Sequence, residues 1–97
     1  MRYILSFVIA CIICGSAYAL DVSGVVYNAE TGNPVAGVIV GLRELDIVTE
    51  TDSRGEFRFS AIEKGFYELT FAHRDYGNVS IDIRVKRSLR IEKKLVP

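Results

Sequence analysis

From Val38 to Glu92, apolar and polar side chains take turns along the chain, and that alternation limits the fold more than any other feature. Val38, Val40 and Leu42 share one parity, against Ile39, Gly41 and Arg43. Phe57 and Phe59 oppose Arg58 and Ser60, and Tyr67, Leu69 and Phe71 oppose Glu68 and Thr70. Val79, Ile81, Ile83 and Val85 oppose Ser80, Asp82, Arg84 and Lys86, and Leu89 and Ile91 oppose Arg90 and Glu92. A period of two is the signature of strands with one buried face. The residues are β-branched or aromatic, which suits a pleated surface. No long segment carries the spacing of a helix.

Breakers separate the runs: Glu30-Thr31-Gly32-Asn33-Pro34, Asp52-Ser53-Arg54-Gly55, Glu63-Lys64-Gly65 and Asp75-Tyr76-Gly77-Asn78. Glycine admits positive φ, and Asp or Asn can bond its own backbone, so each is a turn on chemical grounds. The pattern predicts seven short strands near 22–29, 36–44, 46–51, 56–62, 66–73, 77–86 and 88–95. Short strands with frequent turns point to an all-β antiparallel sandwich or barrel. One register follows if 56–62 and 66–73 form a hairpin around Lys64. Phe57 then faces Phe71, Phe59 faces Leu69 and Ala61 faces Tyr67, all on the core side.

The first nineteen residues read as a leader. Arg2 precedes an almost wholly apolar run from Tyr3 to Cys14, and Gly15-Ser16-Ala17-Tyr18-Ala19 follows in an A-x-A arrangement. That is the form of a secretory signal peptide cut after Ala19. The alternatives are a retained anchor, for which the apolar run is short, and lipidation at Cys11. Val8-Ile9-Ala10-Cys11 is similar to a bacterial lipoprotein box but leaves only ten residues of signal.

Of the 97 residues, 78 remain once 19 are removed. That is one small domain. Cys11 and Cys14 are the only cysteines, so the exported form carries no disulfide. It depends on a well-filled apolar core, and its net stability is expected to be marginal. Without Arg2 there are eleven basic and twelve acidic residues, a net charge of −1. Nothing in that balance calls for nucleic acid or a membrane surface.

Gly24-Val25-Val26-Tyr27, then Thr31-Gly32-Asn33-Pro34-Val35-Ala36-Gly37-Val38 and Val40, resemble the opening of carboxypeptidase regulatory-like domains. Thr51-Asp52-Ser53-Arg54-Gly55-Glu56-Phe57-Arg58-Phe59, Ile62 and Gly65-Phe66-Tyr67-Glu68-Leu69 continue the likeness in order. The resemblance implies a transthyretin-like, seven-stranded, antiparallel Greek-key β-sandwich over residues 20–97. It also implies export, usually as an appendage to another domain such as a metallocarboxypeptidase or an outer-membrane nutrient receptor. The chain is expected to lack that neighbour, since the module reaches its end.

Catalysis is not expected. His73 is the only histidine, and a zinc hydrolase needs about three protein ligands and an open position. No cysteine remains as a nucleophile in the exported form, and no serine has a partner other than His73. The relatives' zinc site lies in their catalytic domain. Hydroxyisourate hydrolases, another transthyretin-like group, use several histidines and a C-terminal tyrosine motif, whereas this chain ends Lys94-Leu95-Val96-Pro97. The lysine–asparagine crosslink of collagen-adhesin repeats needs a lysine on the first strand, and residues 22–29 contain none. No run of alternating acids offers a calcium loop at Asp52–Gly55, so that turn reads as the entry to the strand holding Phe57. No cofactor or metal is expected.

Binding residues are the remaining candidates. If 77–86 and 88–95 pair, Arg84, Lys86, Arg90 and Lys94 line one outward face, a basic ribbon for an anionic glycan, lipid headgroup or acidic protein. Charges on an outer strand also block edge-to-edge pairing, so the ribbon has a structural reading too. Tyr27, Phe66 and Tyr76 are candidates for stacking a sugar, against an ordinary packing role. Asn78-Val79-Ser80 is a glycosylation sequon in a eukaryotic secretory pathway. The expected function is protein interaction or structural support at the cell envelope, with another envelope or secreted protein as partner. A carbohydrate-binding module is the alternative. Membrane association is expected only if the N-terminal segment is retained or lipidated.

Overall fold

A computed structural model describes residues 20–97. The leader, its cleavage after Ala19 and lipidation at Cys11 fall outside the described residues. Seven strands are present: β1 (Leu20–Asn28), β2 (Ile39–Leu42), β3 (Ile47–Glu50), β4 (Glu56–Ile62), β5 (Gly65–His73), β6 (Gly77–Val85) and β7 (Leu89–Leu95). They form two sheets, one ordered β4-β1-β7 and the other β3-β2-β5-β6. The core lies between them. Val22 and Val26 of β1, Leu42 of β2 and Leu69 of β5 are each fully buried. Burying a side chain of this size contributes about 1.5–3 kcal/mol.

The alternation placed Leu42 and Leu69 correctly, but two hairpins in the expected topology do not form. β4 pairs with β1, not β5, with Gly24 opposite Phe57 and Val22 opposite Phe59. The reason lies at Gly24. A Cβ there would stand 2.8 Å from the Phe57 ring, so the missing side chain makes room for the phenylalanine. Gly65 enters β5 without the positive φ of a hairpin turn, and the Glu63-Lys64 connection carries the chain from one sheet to the other. The Tyr67 hydroxyl fastens that crossing by donating to the Glu63 carbonyl at 2.6 Å. Ala61, expected in the core, is exposed and has φ 59°.

β6 and β7 likewise belong to opposite sheets. Lys86-Arg87-Ser88 contains no turn glycine, and Ser88 Oγ accepts the Asp21 N–H at 3.1 Å, drawing the chain onto β1. β7 then runs parallel to β1, from Val22 opposite Leu89 to Asn28 opposite Leu95. The three-stranded sheet is therefore mixed, which corrects the wholly antiparallel expectation. Among the described residues, β5–β6 and β2–β3 are the hairpins, and each uses a left-handed residue: Gly77 (φ 72°) and Asp46 (φ 52°).

The second strand is shorter than the expected 36–44. Gly37 has φ 76°, and Thr51 clamps the approach to β2. The Thr51 hydroxyl donates to the Val35 carbonyl at 2.8 Å and accepts the Val38 N–H at 2.9 Å. Beyond Leu42, Arg43–Leu45 form one turn of 3-10 helix.

Candidate functional site

The outer face of the four-stranded sheet is built by the parity opposite to the core. Because Val40, Leu42, Tyr67, Leu69 and Phe71 point inward, their neighbours Ile39, Gly41, Phe66, Glu68, Thr70 and Ala72 point outward. Register aligns them in rows. Val48, Gly41, Thr70 and Ser80 lie side by side, as do Glu50, Ile39, Ala72 and Asn78. Gly41 keeps the middle low: a Cβ there would sit 2.9 Å from Thr70 Oγ1. Over this shallow floor, Val48 is 71% exposed and Ile39 42%. At the far end Phe66 is 74% exposed. Its cross-strand partner Arg84 places a guanidinium 5.4 Å from the ring centroid, a contact worth about 0.5–1 kcal/mol at the surface. Arg43 and Glu68 pair at 3.3 Å along the same face.

The basic ribbon is divided by the crossing between β6 and β7. Arg84 lies on the outer face of the four-stranded sheet, while Lys86 falls in the exposed connection beyond β6. Arg90 and Lys94 lie on the outer face of the three-stranded sheet, opposite Ser23 and Tyr27. The four do not share a surface.

The three aromatic candidates are also apart. Tyr27 is half-buried beside Lys94. Tyr76 is half-buried, accepts a hydrogen bond from Asn28 Nδ2 at 2.9 Å and meets the His73 ring edge-on, 5.2 Å between centroids. It holds the β5–β6 turn against the end of β1. Only Phe66 of the three stands free. His73 serves the same turn, with Nδ1 accepting the Asp75 N–H at 3.1 Å. Among the described residues, no group of three His, Cys, Asp or Glu side chains is arranged to hold a metal ion.

An open hollow of about 680 Å³ lies beside the three-stranded sheet, lined by Asp21, Ser23, Asp52, Glu56, Arg58 and Arg90 among others. Three of its charged side chains are engaged with neighbours. Arg58 Nη2 meets Asp21 Oδ2 at 2.6 Å. Asp52 Oδ1 accepts the N–H groups of Arg54 and Glu56 at 2.9 and 3.0 Å. Those two bonds, the one from Glu56 foremost, hold the Asp52 carboxyl below the ordinary aspartate range. The Asp52–Gly55 turn thus spends its carboxylate on its own backbone.

The alternation alone hides this apolar patch, because Ile39 falls on the parity of Gly41 and Arg43. The available signal is the adjacent pair Ile39-Val40, which makes both faces of β2 apolar, together with Ile47-Val48 across the turn.

The family model for the CarboxypepD_reg-like domain matches residues 22–96. The chain belongs to that family. No curated protein matches it. Among solved structures, it is similar to a chain of a type II cohesin–X–dockerin complex from Acetivibrio cellulolyticus, crystallised as a C-terminal interface mutant. That match has a TM-score of 0.66 and 22% identity, over 76% of this chain and 52% of the other. The N-terminal interface mutant of the same complex matches at a TM-score of 0.65 and 22% identity, with the same coverage. A candidate carbohydrate-binding protein from Bacteroides uniformis matches at a TM-score of 0.63 and 18% identity, over 81% of this chain and 42% of the other. This regulatory-like domain thus spans about half the length of the chains it resembles. At these identities the likeness is one of fold.

Proposed function

We propose that this chain is an exported, non-catalytic β-sandwich module that acts at the cell envelope by binding another protein or propping up an assembly. The outer face of the four-stranded sheet is its contact surface. One observation carries the reading: Ile39, Val48 and Phe66 stand exposed on a sheet face whose floor is Gly41, Thr70 and Ala72. Apolar side chains gathered on one face, with a polar rim of Glu50, Asn78 and Ser80, are the usual composition of a protein contact. Family membership supports a non-catalytic role. The cohesin–X–dockerin relatives support assembly between proteins. The leader-like first nineteen residues support export.

A second reading, carbohydrate binding, is favoured by Phe66 alone. An open ring flanked by a guanidinium is a surface on which a sugar can stack, and the Bacteroides relative is consistent with that use. Probing envelope proteins and a glycan array with the same labelled chain separates the two. Protein binding that is lost on Ile39→Glu, with no glycan retained, supports the first. Glycan binding abolished by Phe66→Ala supports the second and overturns the first.

A further inference from the structure

The two sheets expose four edge strands, β4, β7, β3 and β6. An open edge invites another strand, and proteins commonly blunt it. Three of the four are blunted. β3 has only four residues. β4 is interrupted by Ala61 at φ 59°. β7 turns Lys93 toward the sandwich interior, on the parity of Ile91 and Leu95, and an inward charge deters pairing. β6 has none of these devices. It runs nine residues from Gly77 to Val85 without proline, and its inward row is Val79, Ile81, Ile83 and Val85. Positive φ occurs only at Gly77, its first residue. Val79, Ile81 and Ile83 remain half-exposed where the edge lies open.

We propose that β6 is a self-pairing edge, joining two copies of this chain antiparallel across a two-fold axis at Ile83. The charges choose this register. With Ile83 opposite its own copy, Asp82 of each chain faces Arg84 of the other, twice over. On the inner side Ile81 faces Val85, the last residue of the strand. A register centred on Asp82 would instead set the two aspartates against each other. Cross-strand pairs of opposite charge stabilise, and like pairs destabilise. An isologous contact of this kind closes after two copies, giving one continuous eight-stranded sheet. The contact is a matter of self-association and stands apart from the partner discussed above.

The test is sedimentation equilibrium of the chain expressed from its full sequence and purified as the cell leaves it, beside Asp82→Arg, Arg84→Asp and the double exchange. Both side chains are exposed, and circular dichroism verifies that each variant is folded. The parent dimerises. Each single reversal turns two attractive pairs into two repulsive ones and weakens the dimer about tenfold or more. The double exchange restores it. A parent that stays monomeric up to its solubility limit overturns the proposal and leaves the edge to a strand from another protein. A dimer indifferent to the single reversals, or not recovered by the exchange, also overturns it.

Discussion

The rings of Phe57 and Phe71 meet edge to face, 6.0 Å between centroids, although their strands belong to different sheets. Phe59 touches Phe57 in the same manner at 6.3 Å. An aromatic chain thus spans the gap between the layers. Replacing Phe57 or Phe71 by Ala should cost about 3–5 kcal/mol, most of the stability of a domain this size. A double-mutant cycle read by urea denaturation should return a coupling of about 0.5–1.5 kcal/mol. Strictly additive losses would mean that the rings do not touch.

Among the described residues Thr51 is the one buried polar residue, and its hydroxyl serves two backbone groups. Thr51→Val keeps the shape and strands the Val38 N–H and Val35 C=O. It should lower stability by about 1–3 kcal/mol, while Thr51→Ser loses much less. Thermal melts of the two variants make the comparison.

Gly55 and Gly32 both hold positive φ, 74° and 77°, but only Gly55 is crowded. A Cβ at Gly55 would lie 2.5 Å from the Val26 carbonyl oxygen, whereas nothing stands within 4 Å at Gly32. Gly32→Ala should therefore cost only the left-handed penalty of about 1–2 kcal/mol. Gly55→Ala should cost clearly more, because the turn must also move off β1. Equal losses in denaturant titrations would count against the contact between this turn and β1.

Asp52 makes the turn sensitive to acid. Its folded pKa lies below the unfolded one, held there first by the Glu56 N–H and then by that of Arg54. The stabilisation is therefore complete above the unfolded aspartate value of about 3.9 and fades as pH falls through the lower, folded value. Asp52→Asn keeps an acceptor and removes the titration. Its melting temperature should track the parent's less steeply below about pH 4. Parallel curves through that range would remove Asp52 from the acid response.

The strands and the inward parity were legible because burial on one face writes itself as alternation: Val40 and Leu42, Phe57 and Phe59, Leu69 and Phe71 all point where the pattern sends them. The pairing was not legible to the same degree. Period two says which way Phe57 points but not which strand lies beside it, and Phe57 and Phe71 meet across the layers instead of along one sheet. The informative residues were Gly24, whose empty side chain receives Phe57, and the links Glu63-Lys64 and Lys86-Arg87-Ser88, which cross between sheets. The basic ribbon failed for that reason: Arg84 and Arg90 are six residues apart in sequence and on opposite sheets. The apolar patch of Ile39 and Val48 is hidden because a strand with both faces apolar loses its alternation.

The most direct measurement of the proposed contact surface compares Val48→Glu with Arg90→Glu in binding to immobilised envelope proteins. Val48 stands on the outer face of the four-stranded sheet and Arg90 on that of the other, both exposed and away from the core. The account predicts that Val48→Glu abolishes binding and that Arg90→Glu leaves it intact. Binding that survives Val48→Glu and is lost on Arg90→Glu would contradict it.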